Sequence, residues 1–209
     1  ISSGKSLKTI AVLCRTNTQC ERVSKYLSSK KIPSNYSAEK LFEQSIIKDA
    51  LAGLEIINKG QFFIQSIIRT IRSKGCGDVA DIIINEVNSI TGGNDIVISK
   101  IKDVLQTNSE ELYNWFCDFI LLSDKKIRLT EFINTIFRQL SLFEKNNGES
   151  YKDKYNSHCL NQLLNIINNY ISQNKNIQFS RMMEYLETVW DMNSIYVNHF
   201  DIVGDIDLI

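Results

Sequence analysis

Two polar side chains that follow a short apolar run are the first candidates for chemistry. Residues 10–13 form that run, and Arg15 and Asn17 come directly after it. A guanidinium offers a planar fork of donors that suits phosphate, and an amide can bond to phosphate, sugar or base. Thr18 and Glu21 have the spacing of a capping box, which predicts that a helix begins here. The alternative is structural: Arg15 pairs with a surface carboxylate and Asn17 shapes the turn.

The second candidate is the turn Lys74-Gly75-Cys76-Gly77, which separates two predicted helices. Glycines let the backbone approach a ligand closely, and amides at the start of the next helix can bind phosphate beside the Lys74 cation. Such a turn could hold the backbone of duplex DNA without reading its sequence. Asp78 is predicted to cap the next helix, and its charge competes for the same amides. The alternative is two glycines that only end one helix and begin another.

Other catalytic and metal-binding patterns are not supported by the residues. The Gly-Lys-Ser at 4–6 lacks the upstream glycine and the leading strand of a phosphate-binding loop. His158 and Cys159 are adjacent, which is poor spacing for two ligands of one metal, and His199 is distant along the chain. Two histidines are too few to argue a His–carboxylate–nucleophile arrangement. We therefore expect no catalytic residue and no metal site.

The composition is that of an ordinary globular protein, with 43% hydrophobic and 23% charged residues in 209. No run of 18 apolar residues occurs, so we expect no transmembrane helix. The net charge is zero, yet residues 1–80 contain 13 basic and 6 acidic residues, and the remainder is acidic. A basic front half is compatible with a polyanionic partner, or with a chance imbalance of solvated residues. Five cysteines without CxxC spacing indicate free thiols and a cytoplasmic protein.

The elements that position these residues are mostly predicted helices. Hydrophobic spacing predicts a buried strand over 8–13, a helix over 18–29 and a short strand over 32–37. Gly60 and Thr130 are expected to be a helix C-cap and a helix N-cap, and 145–156 an exposed loop. Residues 201–209 regain strand-like character. Further helices are predicted over 46–57, 62–73, 79–90, 95–105, 109–122, 130–143, 157–172 and 177–190.

Strand-forming ends around a helical middle indicate a mainly α fold with an inserted helical domain. The two chain ends, 1–50 and 201–209, would form a small α/β remnant, and 51–200 would be the insertion. That sheet has too few strands to be stable alone. Because the sequence also begins without Met, we expect a piece of a longer protein.

Three segments together resemble the UvrD/Rep-like superfamily 1 DNA helicases. AVLCRTNTQCE at 11–21 resembles a family segment that usually reads Tyr-Arg-Thr/Ser-Asn-Ala-Gln. LFEQSIIKDALAGLEII at 41–57 resembles its Phe-Phe-Glu segment with the following Ile-Lys-Asp-Ala-Leu, and KGCGD at 74–78 falls where relatives have Arg-Gly-Ile-Gly. The order of the three segments and the spacing between them also agree with the family. Over 81–200 the resemblance is limited to the helical architecture. Departures from the usual residues are Cys14, Ile46, Lys74 and Cys76.

The resemblance implies an arrangement of domains. In that family two RecA-like motor domains bind ATP between them, and each carries a helical insertion. Residues 1–50 would be the first part of motor domain 2A, 51–200 the 2B insertion domain, and 201–209 a return strand toward domain 2A. The residues that match the segment at the junction between 2A and 2B, in a structural role, are Phe42, Glu43, Lys48 and Asp49.

The resemblance also implies the DNA contacts, residue by residue. Arg15 and Asn17 match the positions at which domain 2A contacts single-stranded DNA. Lys74, Gly75 and Gly77 match the turn with which domain 2B holds the duplex backbone. Because these contacts go to backbone phosphates, binding should be independent of sequence and sensitive to salt.

The function implied by the resemblance is that of a fragment of an ATP-dependent, 3′-to-5′ DNA helicase, with DNA repair as its setting. The phosphate-binding loop, metal-binding acid and arginine fingers of phosphoryl transfer are not among these residues. ATP and Mg²⁺ would therefore bind elsewhere in the parent protein, and the fragment would bind no cofactor and hydrolyse no ATP. Its partners would be single-stranded DNA, the single/double-strand junction and proteins that contact the helical domain, with no membrane. The alternatives are a helical protein-interaction module and a subunit of a recombination nuclease-helicase.

Overall fold

The computed structural model describes residues 10, 12–15, 17–32, 34, 40–88, 90, 92–125, 127–143, 150–174, 177–192 and 195. The prediction of a mainly α fold is confirmed, whereas the α/β remnant is not, because the described residues contain no strand. Two short 3-10 turns lie at Leu41–Glu43 and Leu121–Asp124. The α-helices of the described residues are α1 (Asn17–Ser29), α2 (Ser45–Asn58), α3 (Phe63–Ser73), α4 (Gly77–Val87), α5 (Asn94–Asn108), α6 (Glu110–Ile120), α7 (Leu129–Gln139), α8 (Tyr151–Gln173) and α9 (Phe179–Met192).

The described residues of the strand predicted over 8–13 do not form a buried strand. Ile10, Val12 and Leu13 are 49, 59 and 97% exposed. A strand becomes stable when neighbouring strands pair with its backbone and bury its side chains, and the described residues supply no such neighbour. Of the second predicted strand, over 32–37, only Ile32 and Ser34 are among the described residues, and neither is in a strand. The return strand expected at 201–209 lies outside the described residues.

Helix α2 is the centre of the helical core, because ten of its 14 residues are buried and it packs against α3, α7, α8 and α9. A helix that is apolar on all sides is stable only inside a protein. The domain boundary expected after residue 50 falls within α2, whose two halves lie in the same core. Leu41 and Phe42, just before α2, also belong to that core.

The two ends of the helical unit lie side by side. The Leu41 N–H donates a hydrogen bond of 2.9 Å to the carbonyl oxygen of Ile195. The ring of Phe42 stacks on that of Trp190, with centroids 6.2 Å apart and an interplanar angle of 16°. Adjacent ends are typical of a domain that is inserted into another. No helix of the described residues is both long and apolar enough to cross a bilayer.

The end of α2 differs from the prediction that Gly60 is its C-cap. Lys59 is the C-cap and takes the left-handed conformation, with φ 52°. Gly60 has another role, because a Cβ there would collide with the buried carboxylate of Glu55. That carboxylate accepts a hydrogen bond of 2.9 Å from the Phe62 N–H and so closes the turn between α2 and α3.

Three other predictions about helix ends were wrong. Helix α4 begins at Gly77, so Asp78 lies in its first turn and does not cap it. Thr130 lies inside α7, which begins one residue earlier. The predicted loop at 145–156 is helical from Tyr151, where Ser150 caps α8: its hydroxyl accepts a bond of 3.2 Å from the Asp153 N–H. A polar sequence after a good cap forms an exposed helix as readily as a loop.

Candidate nucleic-acid interface

Arg15 lies in the turn that leads into α1, and its residue is exposed. Its backbone N–H donates a hydrogen bond of 3.0 Å to Oε1 of Gln19, one turn into the helix. This bond folds the chain against the start of α1 and leaves the guanidinium outside. No carboxylate of the described residues forms an ion pair with Arg15, so the structural alternative of a surface salt bridge has no support within them.

Asn17 is the first residue of α1 and therefore stands two residues from Arg15 at a helix N-terminus. The first amides of a helix have no partner within it, and the helix dipole gives this end a partial positive charge. Phosphate binds well at such an end. The structure thus places both predicted single-strand contacts at one helix terminus, whereas the sequence had placed them after a strand.

Further cations continue along α1 from Arg15, and sequence reasoning missed them. Arg22 and Lys25 are exposed and stand three positions apart on the solvent-facing side of the helix. From residue 10 to residue 38 the sequence has five basic residues and one acidic residue. The i, i+3 spacing after a helix start was the signal that could have identified this basic face.

The second candidate turn joins α3 to α4, and Gly75 there has a structural function. Its φ of 84° lies in the left-handed region, which favours glycine. The Gly75 N–H donates to the Arg72 carbonyl at 2.9 Å, and the Cys76 N–H donates to the Ile71 carbonyl at 3.3 Å. This is the Schellman pattern that ends a helix. The Gly75 amide is therefore already used within the protein.

Gly77 is the first residue of α4 and differs from Gly75. Among the described residues no side chain caps this helix, and a Cβ at Gly77 would meet none of their atoms within 4 Å, so the space beside it is open on their side. As at any helix N-terminus, the first backbone amides of α4 have no partner within the helix and can bind an anion. Asp78 in the same turn opposes an anion with its own charge.

Lys74, in the same turn, is half-buried over an aromatic ring. Its Nζ lies 4.4 Å from the centroid of Trp115, which is on α6. Trp115 Nε1 in turn donates a hydrogen bond of 3.0 Å to the carbonyl oxygen of Gln139 at the end of α7. Lys74 therefore contacts α6, while Trp115 joins α6 to the end of α7. A phosphate at this turn would share the ammonium with the ring.

The two cations of α3, before this turn, each form an ion pair with an acidic neighbour. Arg72 Nη2 lies 2.7 Å from Asp81 Oδ1 on α4, and Arg69 Nε lies 2.8 Å from Asp49 Oδ1 on α2. Arg69 also donates to the Ser45 carbonyl at 3.1 Å. The region around residues 74–77 is thus much less positive than the region around Arg15.

Both candidate segments fall within a match to a known family. Residues 2–199 match the family model for the UvrD-like helicase C-terminal domain. This chain belongs to that UvrD-like helicase family. The resemblance to superfamily 1 helicases is thereby confirmed, and an ATP-dependent helicase is implied as the parent protein. No curated protein and no solved structure matches the chain.

Glu55 is a buried acidic residue of this helicase domain, and its pKa is raised. Burial raises its pKa, the Phe62 N–H bond lowers it, and the charge of Glu187 raises it. The carboxylate closes the turn after α2 and is distant in sequence from both candidate segments, so we assign it a structural role. Within the described part of the chain, no group of three or more His, Cys, Asp or Glu side chains could hold a metal.

Proposed function

We propose that this UvrD-like domain is the DNA-contacting C-terminal part of an ATP-dependent, 3′-to-5′ DNA helicase. The observation that carries the proposal is the exposed Arg15 at the start of α1, inside the family match over 2–199. ATP and Mg²⁺ bind to other parts of the parent protein, and this chain hydrolyses no ATP. Its five free thiols suit a reducing compartment such as the cytoplasm.

In this proposal the turn before α1 holds the backbone of single-stranded DNA. The Arg15 guanidinium forms paired hydrogen bonds with a phosphate, and Asn17 adds a contact at the same helix end. Arg22 and Lys25 continue the positive surface along α1 toward the next phosphates. All of these partners recognise phosphate, so the domain binds single strands of any sequence.

Duplex DNA is contacted more weakly, at the turn between α3 and α4. Gly77 allows a close approach to the first amides of α4, and Lys74 adds a cation that it shares with Trp115. The Gly75 amide takes no part, because it already bonds to Arg72. The helical unit rotates as a rigid body about its adjacent ends near Leu41 and regulates unwinding.

The test is the salt dependence of binding. A labelled single-stranded oligonucleotide is titrated with the chain at several salt concentrations, and the affinity is followed by fluorescence anisotropy. The logarithm of the affinity should fall linearly with the logarithm of the salt concentration, by roughly 0.7 for each phosphate contact. Oligonucleotides of different sequence should bind alike. An affinity that does not change with salt would show that phosphate contacts are not the basis of binding.

A helical protein-interaction module is the second candidate, and two exposed apolar side chains favour it. Phe62 and Ile96 are 54 and 55% exposed. They flank a contact between the turn after α2 and the start of α5, where Asn94 Nδ2 donates to the Lys59 carbonyl at 2.8 Å. Charge reversal at Arg15 and Lys74 separates the candidates, because lost DNA binding with intact folding supports the helicase function and unchanged binding supports the interaction module.

A further inference from the structure

An exposed tyrosine stands within the basic surface of α1. Tyr26 is 62% exposed, compared with 54% for Phe62 and 41% for Trp190. Arg22 stands four positions before it and Lys30 four positions after it, and both are exposed. Residues four positions apart lie on the same face of a helix, so the ring stands between two cations.

The backbone of Tyr26 is held at the end of α1, while its ring stays outside. Its carbonyl oxygen accepts a hydrogen bond of 3.2 Å from the Lys30 N–H and one of 2.7 Å from Ser29 Oγ. Val23 and Leu27 form the half-buried side of the helix, whereas Tyr26 is not part of the packed core. An exposed ring adds little to stability through burial, so packing does not explain this tyrosine.

Lys30 occupies one face of the Tyr26 ring. Its Nζ lies 5.9 Å from the ring centroid, at the outer limit of a cation–π contact. Because Tyr26 is mostly exposed, the other face of the ring remains accessible. An accessible ring between two cations is a combination with which proteins bind single-stranded nucleic acids, since the cations follow the backbone and the ring stacks on a base.

Phosphate contacts alone do not distinguish single-stranded from duplex DNA. Duplex DNA carries the denser row of phosphates, so cations by themselves favour it at least as much as a single strand. What duplex DNA lacks is a free base face, because each base inside it is paired and stacked on its neighbours. An aromatic side chain on the binding surface therefore selects for unpaired bases.

We propose that Tyr26 stacks on an unpaired base and so gives the α1 surface its preference for single-stranded over duplex DNA. This role rests on the proposed function, because the same strand is held by phosphate contacts at Arg15. Arg22 and Lys30 bind the phosphates on either side of the stacked base, which takes the open face of the ring. Every base has a π-face, so the stack tolerates any sequence.

The test compares three fluorescent probes of equal length at one salt concentration: a single strand, a single strand of abasic nucleotides and a duplex. Anisotropy titration gives the affinity of the chain for each probe. Stacking on one aromatic side chain is worth about tenfold in affinity, so the natural chain should bind the base-bearing strand about tenfold more tightly than the abasic strand. Tyr26→Ala should lose that difference and keep the natural affinity for the abasic strand and the duplex.

Two control variants separate the ring from other effects. Tyr26→Phe keeps a ring that can stack, so it should retain the natural preference for the base-bearing strand. Phe62→Ala removes a ring of similar exposure from the turn after α2 and should bind all three probes as the natural chain does. Circular dichroism checks that each variant keeps its helix content.

A photochemical cross-link locates the contact directly. A single-stranded oligonucleotide with 5-iodouracil bases is irradiated in the presence of the chain, and the tryptic peptides that carry a nucleotide are identified by mass spectrometry. Trypsin cuts after Lys25 and Lys30, so Tyr26 lies in peptide 26–30, which has no other aromatic residue. The cross-link should fall in this peptide and disappear in Tyr26→Ala, and cross-links confined to other peptides would overturn the assignment.

The binding data separate failure of the stacking role from failure of the proposed function. Equal affinity of the natural chain for the base-bearing and abasic strands would overturn the stacking role, while salt-dependent binding of both would leave the proposed function intact. A Tyr26→Ala variant that binds all three probes more weakly by the same factor would show that the ring only stabilises α1. A chain that binds no single strand would refute the proposed function, and the stacking role with it.

Discussion

The ammonium of Lys74 lies 4.4 Å from the centre of the Trp115 ring, and this contact joins the α3–α4 turn to α6. The same ring donates through Nε1 to the Gln139 carbonyl at the end of α7. A residue that the family resemblance assigns to duplex binding thus also has a structural function. The two functions can be measured separately, because one acts on the free energy of unfolding and the other on DNA affinity.

Replacement of Lys74 by Met should lower the free energy of unfolding by about 0.5–2 kcal/mol, the range of a cation–π contact between exposed and desolvated sites. The measurement is equilibrium unfolding in urea. Lys125→Met is the matched control, because Lys125 is exposed and follows the short turn after α6. Equal stability of the two variants would show that the ring contact contributes nothing.

Gly53 and Gly77 should respond in opposite ways to replacement by Ala. A Cβ at Gly53 would collide with Leu140, and overpacking of a core costs roughly 1–3 kcal/mol. A Cβ at Gly77 meets no atom within 4 Å, and Ala in a helix is more favourable than Gly by about 0.5–1 kcal/mol. Thermal unfolding of both variants tests this, and a Gly53→Ala variant as stable as Gly77→Ala would contradict the packing around α2.

Glu55 should make stability fall as pH rises above the unfolded-state pKa of a glutamate, about 4.3. Burial is the main cause that raises its folded pKa, so the folded state holds the proton more tightly than the unfolded state. The stabilisation linked to that proton is complete below the unfolded value and is lost as pH rises through the folded one. Relative to Glu55→Gln, the natural chain should therefore lose stability as pH rises from the unfolded value through the higher folded pKa of Glu55.

Urea unfolding at several pH values measures this difference. Gln keeps an oxygen that can accept from the Phe62 N–H, so the variant removes the titration and retains the turn. Glu187→Gln is the second variant, because Glu187 raises the pKa of Glu55 and its removal should weaken the pH dependence. Stability curves of the natural chain and Glu55→Gln that stay parallel over this range would contradict the assignment.

The helices were predictable because their signal is local. Apolar residues at helical spacing, such as Ile47, Leu51 and Leu54, identify α2 without knowledge of its neighbours. Whether the apolar residues before Arg15 form a strand was not predictable in the same way, because a strand depends on partners distant in sequence. The role of Gly60 also could not be predicted from the sequence. A glycine is needed there because a Cβ would collide with the Glu55 carboxylate, and not because a helix ends beside it.

The candidate site was predictable in part. Motif spacing identified Arg15, Asn17 and the turn at 74–77. The engagement of Lys74 with Trp115 could not be read from the sequence, because α6 is packed against this turn only in the folded chain. Conversely, the left-handed φ of Gly75 follows from its position after a helix, as the structural alternative for this turn predicts.

Reversal of the charge at Arg15 is the most direct test of the proposed contact with single-stranded DNA. Arg15→Glu and the control Lys125→Glu change the net charge equally, and both positions are exposed in the described structure. Anisotropy titration of a fluorescent single-stranded oligonucleotide at low salt measures their affinities. We predict that Arg15→Glu binds about tenfold more weakly or worse, since a charge-assisted bond to phosphate is lost and repulsion takes its place. Lys125→Glu should stay close to the natural chain, and equal affinities of the two folded variants would contradict a DNA contact at this turn.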